Sequence, residues 1–147
     1  MPSCNLERDV PYRADQMFDL VIDMEHYQDF MPIDFSGHIV EHGPNTLRTS
    51  QAIRIDHIPL TFDSTASFHR PDWIRVESTS KPFNYFLIAW TFIRLEHGCN
   101  VRVQVDCTTH SPPLGVLLAP WIETFSKVLI TAFERRAKDM YGMAPAS

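Results

Sequence analysis

Glycine is scarce in this chain: five residues in 147, and no GxGxxG, GxSxG or Walker-type loop can be assembled from them. A phosphate cradle needs backbone that can approach its ligand unhindered, so nucleotide binding of that kind is excluded. Cysteine is scarcer still. Cys4, Cys99 and Cys107 form no CxxC pair, their number is odd, and the opening MPSCNLERDV carries no pattern of an export or transit signal. The expectation is reduced thiols and a cytoplasmic location. No run of 18 apolar residues is present to span a bilayer. With 44% hydrophobic and 21% charged residues, the chain has the composition of a globular protein. A single soluble domain over residues 1–147 is expected.

Positive charge is also in deficit, at thirteen Lys plus Arg against eighteen Asp plus Glu, for a net charge of -5. The deficit is local. Asp15, Asp19, Asp23, Glu25, Asp29 and Asp34 fall in a stretch without Lys or Arg, and the rest of the chain is close to neutral. Direct nucleic-acid binding, which leans on phosphate contacts, is not expected. The carboxylates at 15, 19 and 23 read as a solvated helix stripe, because catalytic use would need desolvation or a partner to raise a pKa. Of Arg135 and Arg136, one is expected to serve the end of a helix and the other to pair with the acidic stretch.

Seven histidines suggest a metal site only by number. His38 and His42 lie in an expected strand, where an i,i+4 pair shares a face about 13 Å apart, too far to close one tetrahedral site. No HExxH or Cys/His spacing is present, so neither a metal nor a catalytic set is expected.

What the chain does have is clean periodicity. Residues 3–10 read as a strand. Ala14–Asp23 places Met17, Phe18, Leu20, Val21 and Met24 on one helical stripe, and a short aromatic segment from His26 to Pro32 follows. Period two then takes over in residues 36–42, 47–57, 58–68, 74–78, 85–95 and 101–107. Beyond Pro112-Pro113, apolar residues from Leu114 to Met140 recur at three and four, which predicts a long helix ending near Gly142, with Pro120 starting its regular part or kinking it. A one-faced curved sheet needs a cover, and only this helix has the apolar surface to supply it. The expected fold is α+β with a helix-grip architecture: six to seven antiparallel strands wrapped around a long C-terminal helix, with two short helices after the first strand. Phe62, Phe68, Phe86, Ile88, Trp90 and Phe92 would face Leu118, Trp121, Ile122, Phe125 and Leu129. Thr49, Gln51 and Ser64 share that inward parity, and several polar groups on a buried face call for partners, water or a ligand.

Particular residues then bring a family to mind. Val10-Pro-Tyr-Arg-Ala-Asp-Gln-Met-Phe-Asp-Leu-Val21, followed by Asp23, Tyr27, Phe30 and Pro32, resembles the opening of the coenzyme Q-binding protein family, which also contains the ribosome association toxins, within the START-like superfamily. Pro82-Phe83, Trp90-Thr-Phe92, Ser111, Ala132-Phe133-Glu-Arg-Arg136-Ala137 and Tyr141-Gly142 extend the resemblance along the chain. Arg13, Gln28, Ile33 and Lys81 depart from the pattern, where the family usually has Ser, Pro, Trp and Gly. Arg13 removes the side-chain half of a capping box that ends at Gln16.

The resemblance implies a carrier without enzymatic activity that holds ubiquinone or a similar isoprenoid lipid in support of respiratory electron transport, and no resident cofactor. Its partners would be that lipid and a respiratory or quinone-biosynthesis membrane protein, met from the cytoplasm at the inner membrane. The alternatives are a ribosomal subunit as partner and, less well supported, polyketide aromatase/cyclase chemistry. Candidate ligand contacts are Phe30, Pro32, Gln51, Ile53, Phe62, Phe68, Phe83, Trp90, Phe92, Leu118, Trp121, Phe125 and Leu129. Gln51 would supply the polar contact, and Tyr27 to Pro32 would form a lid.

Overall fold

A computed structural model describes residues 3–55 and 57–142. β1 (Ser3–Val10) leads into α1 (Ala14–Ile22) and a 3-10 helix (Met24–Asp29). Then come β2 (Phe35–His42), β3 (Thr46–Ile55), β4 (Ile58–His69), β5 (Trp73–Ser78), β6 (Phe83–Leu95), β7 (Gly98–Thr109) and α2 (Pro112–Tyr141). The strands form one antiparallel sheet in the order β1-β7-β6-β5-β4-β3-β2, so consecutive hairpins build a meander and β1 closes onto its last strand. This is the α+β helix-grip fold.

Local chemistry sets the helix ends. Ser111 Oγ accepts from the Leu114 N–H, and Pro112 and Pro113 occupy the first positions of α2, where a missing N–H costs nothing. At the other end Gly142 takes φ +76 and donates its N–H to the Lys138 carbonyl, 2.8 Å away. Pro120 does not start the helix, which runs through it from Pro112. The Val116 carbonyl loses its donor there, but Val116 is 78% exposed, so water can replace it. Arg13 provides no side-chain cap to α1. The other half of the box survives, because Gln16 Oε1 accepts from the Arg13 N–H at 2.9 Å while the guanidinium turns to Asp15.

Two pairings differ from expectation. A bulge between Ile39 and Glu41 shifts the β2–β3 register, so His38 opposes Ser50 while His42 opposes Leu47. The two histidines therefore point to opposite faces rather than sharing one. The acidic stripe of α1 meets neither Arg135 nor Arg136. Arg70, at the β4–β5 turn, grips Asp19 with two 2.8 Å hydrogen bonds, and Arg136 lies over the Phe30 ring, 4.9 Å from its centroid.

α2 buries Leu114, Leu118, Ile122, Phe125, Leu129 and Phe133 and lies against β1, β7 and α1. Its C-terminus is fastened by Tyr12 Oη donating to the Gly142 carbonyl and Tyr141 Oη to the Gln16 carbonyl. By length and composition α2 could cross a bilayer, yet this apolar stripe is the centre of the core. Gly98 makes the tight β6–β7 turn beneath the start of α1. At φ +150, a Cβ there would sit 1.9 Å from the Val10 carbonyl oxygen.

Candidate ligand-binding site

The β3–β4 hairpin brings the polar part of the site together. Register places Thr49 opposite Ser64 and Gln51 opposite Phe62, all four on the concave face and buried. Thr49 Oγ1 and Ser64 Oγ share a hydrogen bond, and Ser64 Oγ donates to Gln51 Oε1 at 2.8 Å. The inward polar residues thus satisfy one another in a chain. Gln51 is only 2% exposed and accepts through Oε1; the buried side-chain atom left without a partner among the described residues is Asp106 Oδ1, not an atom of this hydrogen-bonded chain. The Gln51 amide also carries two N–H donors.

Aromatic rings line this chain in two groups: Phe62, Phe83 and Phe86 stand apart, while the remaining rings form one network linked through Tyr27–Phe35 at 5.4 Å and Trp90–Phe92 at 6.4 Å. Phe62, Phe83 and Phe86 pack together with centroids 4.9–5.2 Å apart. Trp121 stacks on Phe125 at 4.5 Å, and Phe125 meets Phe35 edge-on at 5.3 Å. Trp90 and Phe133 are joined with Tyr27 and Phe30. Phe68 and Phe92 are brought together only through Phe18 of α1, each ring 6.0 Å from it. Of the candidate contacts, Gln51, Ile53, Phe62, Phe83, Trp90, Phe92, Leu118, Phe125 and Leu129 are buried; Phe30, Phe68 and Trp121 are half-buried; and Pro32 is exposed.

Rings therefore occupy the concave face on which the candidate contacts were expected. Open depressions lie around it. A groove of about 270 Å³ runs between Phe30 and Pro32 on one side and Val128, Thr131 and Ala132 on the other. One of about 400 Å³ lies between Met31, Ile33 and Phe35 and the β3–β4 hairpin at Ile53 and Leu60. Another, about 860 Å³, is bordered by the polar residues Arg48, Thr49, Asp63, Ser64, Thr65 and Glu77. The segment expected to be a lid is stitched down: Tyr27 Oη donates to the Val21 carbonyl, and Phe30 sits on Phe133.

Sequence reasoning passed over Phe18, Tyr27, Phe35 and Phe133 as contacts. Phe133 lay in the apolar repeat of α2, which was the signal for it. Phe35 opens a strand ahead of any alternation, so only its pairing with Ile53 reveals it.

The buried thiols and the buried Tyr27 phenol are held away from neutrality. Burial pushes the Cys99 thiol up to about 11 and the Cys107 thiol up to about 12, and burial followed by the charge of Asp23 raises Tyr27. No Asp, Glu, Lys, Arg or His is buried among the described residues, and these include no cluster able to hold a metal ion.

The model of the family described as polyketide cyclase/dehydrase and lipid transport matches residues 10–134, from the end of β1 into the last turns of α2. The chain belongs to that family. Within it, the chain is 24% identical over 142 residues to the ribosome association toxin RatA of Escherichia coli K12, spanning 96% of this chain and 90% of that one. RatA of Pseudomonas aeruginosa is also 24% identical, over 90% of this chain and 93% of its own. Among solved structures, the Zhui aromatase/cyclase of Streptomyces sp. R1128 superposes with a TM-score of 0.82 at 16% identity, covering 92% of this chain and 93% of its own. An 18 kDa protein of Caulobacter crescentus gives 0.76 at 22% identity, over 97% and 100% of the two chains. These likenesses show the helix-grip fold; family membership rests on the sequence match.

Proposed function

We propose that this family member binds and carries a hydrophobic isoprenoid molecule with a small carbonyl-bearing head, ubiquinone being the type example, without transforming it. The observation that carries this reading is Gln51: an amide on the buried concave face, its Oε1 engaged by Ser64, opposite Phe62 and at the edge of the Phe62, Phe83 and Phe86 cluster. A quinone carbonyl accepts from an amide N–H, and aromatic and aliphatic walls bury the tail at about 25 cal/mol per Å². The family's lipid-transport description supports the ligand class. Transformation of the ligand is less well supported, since acid/base catalysis needs a buried group titrating near neutrality.

The test is organic extraction of protein purified from its native host, with mass spectrometry of the extract, and titration of the delipidated protein with a short-chain ubiquinone while following tryptophan fluorescence. Co-purification of an isoprenoid quinone in near-stoichiometric amount, or saturable quenching, supports the reading. A clean extract together with no quenching sinks it.

A second reading is favoured by the names of the relatives: association with a ribosomal subunit. Carboxylates concentrated between Asp15 and Asp34 would meet a basic ribosomal protein rather than RNA. Co-sedimentation with isolated subunits, abolished by reversing Asp15 and Asp19 to Lys, would establish it.

A further inference from the structure

The exposed surface of α2 changes character along its length. In the second half, Glu123, Lys127, Arg135, Lys138 and Asp139 face water, as on any surface helix. In the first half, Pro112, Pro113, Val116, Ala119 and Pro120 are exposed instead, and Trp121 and Leu117 are half-buried beside them. From Cys107 to Ile122 the chain holds no Asp, Glu, Lys or Arg.

The sheet adds to this surface. In an antiparallel meander, alternate connections fall at the same end, so the β3–β4 turn, the β5–β6 loop and the β7–α2 link lie together. They contribute the exposed Ile58, the half-buried Pro82, the cation Lys81, the imidazole of His110 and, beside the β3–β4 turn, the Arg54–Asp34 ion pair. Thr109 Oγ1 ties the loop to the helix start by donating to the Pro82 carbonyl at 2.7 Å. The opposite end of α2, about 45 Å away along a 30-residue helix, is where Tyr12 and Tyr141 fasten it to the start of α1, which carries Asp15 and Asp19.

We propose that the end of the molecule where α2 begins is a docking surface for a phospholipid bilayer, with the first turns of α2 lying at the boundary between headgroups and acyl chains. This rests on the carrier reading above, since a carrier of an isoprenoid must collect it from a membrane. The chemistry fits that occupant. Val116 and Pro120 would meet acyl chains, Trp121 has the mixed polarity that settles at the interface, and Lys81 stands level with phosphates while the acidic start of α1 is held far off. A water-facing helix has no reason to shed charge from one half of its exposed surface only.

The experiment is flotation of the whole protein with vesicles of phosphatidylcholine, and of phosphatidylcholine with phosphatidylglycerol at four to one, for the wild type, Val116→Asp and Met140→Asp. Val116 and Met140 are both well exposed, and the substitutions change charge equally, so both variants fold. An acid near the start of a helix is also favourable in its own right. The expected result is a roughly tenfold lower partition coefficient for Val116→Asp, from loss of one inserted side chain, with Met140→Asp like the wild type. No flotation of the wild type, equal loss in both variants, or a wild-type dimer that Val116→Asp dissociates would overturn the proposal. Quinone quenching in vesicle-free buffer separates its failure from that of the carrier reading, since quenching without flotation defeats docking alone and flotation without quenching defeats the carrier alone.

Discussion

Replacing Gln51 with Leu separates a binding role from a structural one, because the two predict opposite things of stability and affinity. The substitution removes the hydrogen bond from Ser64 Oγ, worth about 1 kcal/mol, while Ser64 keeps Thr49 as a partner. In exchange, a polar amide gives way to an apolar group of similar size, returning about 1 kcal/mol on a face where the residue is 2% exposed. The two changes nearly cancel. For a chain of this length, a residual difference of about 1 kcal/mol moves Tm by only about 3 °C. Ligand binding has no such offset: a quinone carbonyl loses its donor, which costs about 1 kcal/mol and lowers affinity roughly fivefold. Thermal unfolding and quinone titration on the same preparation read both quantities. A variant that unfolds 8 °C or more below the wild type yet binds quinone normally would refute the assignment and return Gln51 to the core.

Three further outcomes follow from the geometry. Gly98→Ala forces a Cβ to within 1.9 Å of the Val10 carbonyl oxygen at a positive φ, so urea unfolding should show a loss of about 3 kcal/mol or more, against the few tenths expected of a glycine in open space. With burial holding Cys99 and Cys107 at about 11 and about 12, an aromatic disulfide reagent at pH 8 should titrate the half-buried Cys4 quickly and reach three thiols only in denaturant. His26 has its pKa raised above 6.5, first by the hydrogen bond to Asp23 and then by that residue's charge. Its small stabilisation is therefore fully present below pH 6.5 and lost as pH rises through the raised value; an NMR titration should place His26 above 6.5, and Asp23→Asn should bring it down.

How far the sequence carries depends on whether a feature is local. The strands and α2 are legible because alternation and a three-four repeat report which side of each element meets the core, and the inward parity of Leu47, Thr49, Gln51, Ile53 and Ile55 matches their burial. The bulge after Ile39 was not legible, since one extra residue leaves no trace in composition and shows only against β3. Nor was the Arg70–Asp19 grip, which joins residues 51 positions apart through the closing of the sheet around α1. The candidate site divides the same way. Parity alone identifies Gln51, Phe62 and Trp90 as inward, whereas the grouping of Phe68 and Phe92 around Phe18, apart from the Phe62 group, depends on where α1 crosses the sheet.

Filling of the concave face by rings bears directly on how a carrier would work. A rigid empty cavity would leave its lining without contacts, and its cost would be borne whenever no ligand was bound. Here Phe30, Phe133, Tyr27 and Trp90 hold one another instead, and each such pair contributes about 0.5–1.5 kcal/mol beyond its buried area. A tail that parts two or three pairs gives up about 2–4 kcal/mol of what its own burial supplies, which weakens binding by roughly 30- to 1,000-fold relative to a preformed pocket. For an enzyme or a storage protein that loss would be a defect. For a domain that must hand its ligand to a membrane or a second protein it would be what allows release: the rings would close behind the departing tail and leave the free protein with a packed core.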